Sequence, residues 1–146
     1  MLSSKFKNFN GKLPSQVKDA DELNNFLNCV QRELKDIHTA LSDMYHTYTI
    51  QYTYTSNKEL AAICCEAEGA VVSLLKKIEL FSEFCLNINN NGYIDILNFI
   101  KKLSDALMEI TNIGKDFLIK LKEVFKSFAD DFSKVVLPHL KYTSKV

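Results

Sequence analysis

Four cysteines and three histidines are the residues best suited to carry chemistry in this chain. A thiol becomes a nucleophile or a metal ligand only where a base, a positive charge or a metal draws off its proton. Cys29, Cys64, Cys65 and Cys85 show no such setting in the sequence. The vicinal pair Cys64-Cys65 cannot close easily on itself within a helix, and no Cys-x-x-Cys spacing supports structural zinc. The expectation is four reduced thiols serving as small buried hydrophobes. His38 and His46 fall on roughly one helical face with Asp43 between them, a set that could in principle bind a metal. Polar residues satisfied on a wet face are the plainer account. No histidine has a glutamate three residues before it, as the di-iron motif of helical bundles requires. There is no His-Glu-x-x-His, and neither Gly11-Lys12 nor Gly114-Lys115 sits in a phosphate-loop frame. The sequence therefore predicts a protein that is not an enzyme and uses no cofactor or metal.

Charge narrows the partners. Formal net charge is zero over 146 residues, yet residues 1–18 carry +4, residues 19–92 carry −6 and residues 93–146 carry +2. Arg32 stands alone beside seventeen lysines. Arginine is the preferred fork for phosphates and base edges, so its scarcity with a neutral total argues against nucleic-acid binding. Met1-Leu2-Ser3-Ser4-Lys5 lacks the apolar stretch of a secretory leader, and no Asn-x-Ser/Thr site occurs. Cytoplasmic location, in part peripheral on a membrane, is the expectation.

The N-terminus gives the membrane expectation its content. Leu2, Phe6, Phe9 and Leu13 follow helical spacing and are interleaved with Lys5, Lys7 and Lys12. Wound into a helix, they would present four apolar groups on one face with lysines at its margins, which suits the interface of an anionic membrane. A tail that packs one or two aromatics on the rest of the protein is the competing expectation. A second lysine set (Lys101, Lys102, Lys115, Lys120, Lys122, Lys126, Lys134 and Lys141) is mixed with acids and reads as a solvated face.

Three long apolar stripes must position all of these residues. The first runs Leu23, Leu27, Val30, Leu34, Ile37, Leu41, Met44, Tyr48 in alternating steps of four and three. The second runs Leu60, Cys64, Ala67, Val71, Leu74, Ile78, Phe81, Cys85, Ile88. The third runs Ile96, Ile100, Leu103, Leu107, Ile110, Gly114, Phe117, Leu121, Val124, Phe128, and goes on to Phe132 and Val135. A 3.5-residue repeat keeps one face toward a neighbour along a whole helix. Six glycines and prolines in all argue against a turn-rich β fold.

The prediction is an all-α protein, an elongated antiparallel bundle of three long helices, with a break near Gly114 as the variant that gives four. An unbroken third helix over residues 93–137 would extend about 68 Å. Residues 1–15 form a basic amphipathic segment, 16–141 the bundle domain and 142–146 a tail. The core should hold Leu27, Leu34, Leu41, Leu74, Ile78, Phe81, Ile100, Leu103, Leu107, Leu121 and Phe128. Asp19-Ala20-Asp21-Glu22 places acids at a helix start, Ser56-Asn57-Lys58-Glu59 fits a capping box, Asn89-Asn90-Asn91-Gly92 is the clearest turn, and Pro138 ends the third helix. Residues 46–55 alternate aromatic or apolar residues with threonines in strand fashion, but a lone strand has no partner, so helix is expected, with a turn near Ser56 or a continuous helix that changes neighbour.

Phe125, Phe128 and Phe132 make a dense patch near the chain end, a candidate partner-contact surface if the bundle leaves it uncovered. From about Phe26 to Leu140 the pattern resembles the first part of a BAR domain. The resemblance rests on Ile96-Leu97-Asn98-Phe99-Ile100-Lys101-Lys102-Leu103-Ser104-Asp105-Ala106-Leu107, on Phe117-Leu118-Ile119-Lys120-Leu121, on Phe128-Ala129-Asp130-Asp131-Phe132 and on Val136-Leu137-Pro138-His139-Leu140. It implies a crescent-shaped helical module that dimerises and binds curved membranes, the basic start corresponding to an N-terminal insertion helix. The expected function is a non-enzymatic scaffold or adaptor acting through helix–helix contacts, on a protein partner or as a homodimer, and associated with an anionic membrane. The alternatives are a helical effector or regulator that sequesters one protein partner in a groove, and a bundle that binds lipid or inserts into membrane.

Overall fold

A carboxylate starts the first helix. Asp19 Oδ1 accepts a hydrogen bond from the Glu22 backbone N–H at 2.9 Å, and the Glu22 carboxylate accepts from the Lys18 N–H at 2.9 Å. One donor that the helix leaves open, the Glu22 N–H, is satisfied this way, the Glu22 carboxylate ties down the N–H of Lys18 just before the helix, and both acids sit where the helix dipole favours them. The computed structural model describes residue 11 and residues 13–50, 55–83, 85–110 and 115–139. Among these residues there are four long helices: α1 (Ala20–Ile50), α2 (Thr55–Ser82), α3 (Asn90–Met108) and α4 (Lys115–Val136), with short 3-10 turns at Cys85–Asn87 and Leu137–His139. The protein is all-α, with no strand among the described residues.

The first two stripes bury as their spacing requires. Leu23, Leu27, Val30, Leu34, Ile37 and Leu41 of α1 meet Cys64, Ala67, Val71, Leu74, Ile78 and Phe81 of α2 in one core. The helices run antiparallel, tied by His38 and Glu68 at 2.9 Å. Residues 46–50 are helical, and α2 starts at Thr55. Ser56 therefore lies inside α2 and not at its cap. Packing of the amphipathic face, more than local capping, decides where such a helix begins.

The third stripe does not form one rod. α3 closes at Glu109, whose N–H reaches the Asp105 carbonyl at 3.0 Å, and α4 starts six residues on at Lys115. Residues 111–114, with Asn112 and Gly114, lie outside the described residues. Both types are poor helix formers, and the end of α3 at Met108 lets α3 and α4 fold back on each other instead of extending apart. The bundle is not antiparallel throughout, either. α2 and α4 run in the same direction, since Glu66 pairs with Lys122 at 3.0 Å, the Lys77 ammonium donates to the Ala129 carbonyl, and the Phe81 ring meets Phe132. Lateral order is α1, α2, α4, α3.

The inward face of α4 is the predicted stripe rotated slightly, keeping Phe117, Leu121 and Phe132 and adding Leu118, Phe125 and Ala129. Leu118, Leu121, Phe125, Ala129, Phe132 and Val136 are buried, while Val124 and Phe128 are only half-buried. Of the eleven predicted core residues, all but Phe128 are buried. Asn89-Asn90-Asn91-Gly92 is no free turn. Asn89 is the N-cap of α3, its side chain accepting from the Gly92 N–H at 2.8 Å, and the next three residues form the first helical turn. Pro138 lies in the 3-10 turn directly after α4, as a helix terminator should.

Candidate binding groove

The two ends of the α3–α4 hairpin are clamped together by backbone and side chain. The Asn89 N–H donates to the His139 carbonyl at 3.0 Å, and His139 Nε2 lies 2.5 Å from Asp95 Oδ2. Gly92 makes this approach feasible. A Cβ at that position would fall 2.6 Å from His139 Cβ and 2.4 Å from Ile88 Cγ1, inside any real contact distance. The Asn89 cap holds the start of α3, Pro138 turns the chain after α4, and the imidazole then reaches the carboxylate across the hairpin.

Above this clamp the seam between α3 and α4 opens into a groove of about 540 Å³. Asn98, Phe99, Lys101, Lys102 and Asp105 line it from α3, and Lys134, Val135, Pro138 and His139 from the other side. The period of α3 explains the lining. Ile96, Ile100, Leu103 and Leu107 point into the core, so Asn98, Lys102 and Asp105 are turned outward and Phe99 is left at the seam. The Phe99 ring is fixed edge-on against Phe128 at 5.0 Å and Phe132 at 5.4 Å between centroids, a favoured aromatic geometry. Phe99 is only 6% exposed and forms the base of the groove, while Val135 and Pro138 supply most of its accessible apolar surface.

The rim is charged. Among the described residues neither Lys101 nor Lys102 forms an ion pair, while Lys134 lies 3.7 Å from Asp131 on its own helix. Asp95 is engaged by His139. The arrangement offers ammonium groups around an apolar strip.

Residues singled out by sequence fall in different places. Phe125 and Phe132 are fully buried within this chain and Phe128 is half-buried against Phe99, so the patch is mostly core and offers little surface to a partner. It is covered because α2 lies alongside α4, a pairing the sequence does not display. Leu2, Lys5, Phe6, Lys7, Phe9 and Lys12 lie outside the described residues. Leu13 is partly buried and packs against the core. His38 is turned to Glu68 and His46 to the edge of Tyr45, which separates the two histidines from any common metal. No cluster of three ligand-type side chains occurs among the described residues.

The cysteines are unpaired, with Cys64 and Cys85 in the core and Cys65 exposed. Burial, helped by nearby Glu68 and Cys65, pushes the Cys64 thiol up to about 11. Burial also raises Cys85. Both are held as thiols near neutral pH, opposite to what a nucleophile needs. Sequence reasoning missed the buried Glu33 and the whole α3–α4 seam. The adjacent Lys101-Lys102 pair beside Phe99 was the visible signal for the seam, but it acquires meaning only once α4 folds back. No helix among the described residues is long and apolar enough to cross a membrane. No protein-family model, curated protein or solved structure matches the chain.

Proposed function

We propose that the protein is a non-enzymatic helical binding module, an adaptor or regulator that holds a segment of one partner protein along the α3–α4 groove. One observation carries this reading. The bundle closes its own core, Phe125 and Phe132 included, yet leaves a recess with an apolar floor and a cationic rim. Groove recognition takes most of its affinity from apolar anchors and its orientation from rim charges. Phe99, Val135 and Pro138 would supply the first, and Lys101, Lys102 and Lys134 the second. A photo-crosslinking residue at Asn98, in the groove, should trap one partner in extract of the native source. The same residue at Lys76, on the exposed face of α2, should not. Equal capture at both positions, or none at Asn98, overturns the reading.

A second reading is attachment to an anionic membrane through the basic N-terminal segment. It is supported by three exposed apolar side chains, Leu80, Ile94 and Leu137, near one end of the bundle. α1 begins at that end, since the Asp19 and Asp21 carboxylates act on Tyr93 and Cys85 there.

A further inference from the structure

We propose that the occupant of the α3–α4 groove is an acidic amphipathic segment of a partner protein, its apolar side chains seated on Phe99, Val135 and Pro138 and its carboxylates on Lys101, Lys102 and Lys134. This rests on the groove being a binding surface at all.

The charge balance selects the sign of the partner. Five of the lining residues carry formal charge, three lysines and two aspartates. Asp95 keeps its charge while it contacts His139, so the lining carries a formal excess of one positive charge. The second aspartate, Asp105, lies one turn beyond Lys101 and Lys102. Among the described residues Lys134 has only the solvent-exposed Asp131 at 3.7 Å, a pair of little energetic weight. Lys101 and Lys102 have no ionic partner among the described residues. Ammonium groups flanking an apolar floor are incompletely matched until carboxylates arrive.

The size selects the class of partner. Asp95 to Asp105 spans about 15 Å of helix, the length of roughly ten residues of an α-helical ligand. The recess is broadly open to solvent, so a small anion would be left mostly hydrated, whereas a peptide can cover the floor and meet the rim together. A nucleic acid would need a denser cationic track, and Asp105 interrupts this one. A flat membrane surface cannot enter a seam whose floor lies between two helices.

The test is a peptide-display selection against the immobilised full-length chain, followed by affinity measurements on the enriched peptides. Enriched sequences should carry two or more Asp or Glu residues beside an apolar anchor, compete with one another and crosslink to a photoreactive group at Asn98. The charge-reversing pair Lys101→Glu, Lys102→Glu should weaken them at least about tenfold, equivalent to ~1.4 kcal/mol, and added salt should do the same in the parent protein. Circular dichroism of the reversed variant should be unchanged, because neither lysine is in the core. Lys102→Gln alone should give a smaller loss. Enriched peptides that crosslink at Asn98 without acidic bias, or that bind the reversed variant equally well, overturn the acidic proposal while leaving groove binding intact. Failure of every selected peptide to crosslink at Asn98 overturns both. Binding to phosphatidylserine vesicles that is lost with the same two reversals would overturn it in favour of lipid.

Discussion

Gly92 and His139 touch where the first turn of α3 meets the turn that follows α4, and there is no room between them for a single additional carbon. The contact closes the α3–α4 hairpin at one end, with the Asn89–His139 backbone bond and the His139–Asp95 side-chain contact on either side of it. Gly92→Ala should therefore be more harmful than a helix-propensity scale suggests, since alanine favours a helix over glycine. The new methyl collides with Ile88 and with the β-carbon of His139, so part of the hairpin must shift. A loss of about 1–3 kcal/mol is expected from overpacking of this kind, measured by urea denaturation. Equal or greater stability in the alanine variant would contradict the packing described.

Phe125→Ala and Phe132→Ala should each cost about 3–5 kcal/mol, the usual range for emptying a buried aromatic site. Phe128→Ala should cost clearly less, because that ring is half-buried and meets Phe99 at the seam. Thermal denaturation of the three variants ranks them. The opposite order would mean that the Phe128 side of α4, and not the Phe125 side, is turned inward.

That contrast marks how far the sequence carries. α1 and α2 are legible because each has one apolar face, and the 3.5-residue repeat from Leu23 to Leu41 and from Cys64 to Phe81 names it without ambiguity. α4 has apolar residues on two adjacent faces, Phe117, Val124 and Phe128 on one and Leu118, Phe125 and Phe132 on the next. Period alone cannot choose between them; packing against α2 and α3 does. The break between α3 and α4 was visible in Asn112 and Gly114 but masked by an apolar rhythm that runs through them. The groove was illegible for a related reason. Its lysines and its proline come from segments far apart in the chain, and only the reversal of direction brings them together.

Alkaline pH should destabilise the protein through its buried thiols. The Cys64 thiol goes from an ordinary value of 9.0 to about 11 in the folded state, and burial raises Cys85 and Tyr93 in the same direction. A folded-state value above the unfolded one means that folding favours the protonated group. This stabilisation is fully present below pH 9 and is lost as pH rises toward 11, because the unfolded chain ionises first. The Cys64 share is about 2–3 kcal/mol. Urea denaturation at pH 8 and at pH 10.5 should show the decline, and Cys64→Ala should flatten it. At pH 8, a thiol reagent should modify exposed Cys65 promptly and Cys64 only on unfolding.

The N-terminal segment provides the remaining test, and the position of Leu13 decides how to make it. Leu13 packs on the core beside the residues that lead into α1, so a deletion that removes it would disturb the bundle as well as the amphipathic segment. A deletion of residues 1–10 separates the two effects. It removes Leu2, Phe6 and Phe9 with Lys5 and Lys7, and it leaves Leu13 and the Asp19 cap in place. Fully burying each of the three apolar side chains in a lipid interface would contribute about 1.5–3 kcal/mol, and each lysine adds about 1 kcal/mol on an anionic surface. The entropy of ordering ten residues opposes this by an amount of the same order. The net attachment of one chain is expected to be weak and strongly salt-dependent. Co-sedimentation with phosphatidylserine vesicles at low salt should be measurable for the full chain and abolished by the deletion, or by Phe6→Ser with Phe9→Ser, with the helical circular dichroism unchanged. Extending the deletion through Leu13 should lower the thermal midpoint, while the shorter one should not. If the full chain ignores such vesicles at low salt, the membrane reading falls and groove binding remains as the function proposed for the bundle.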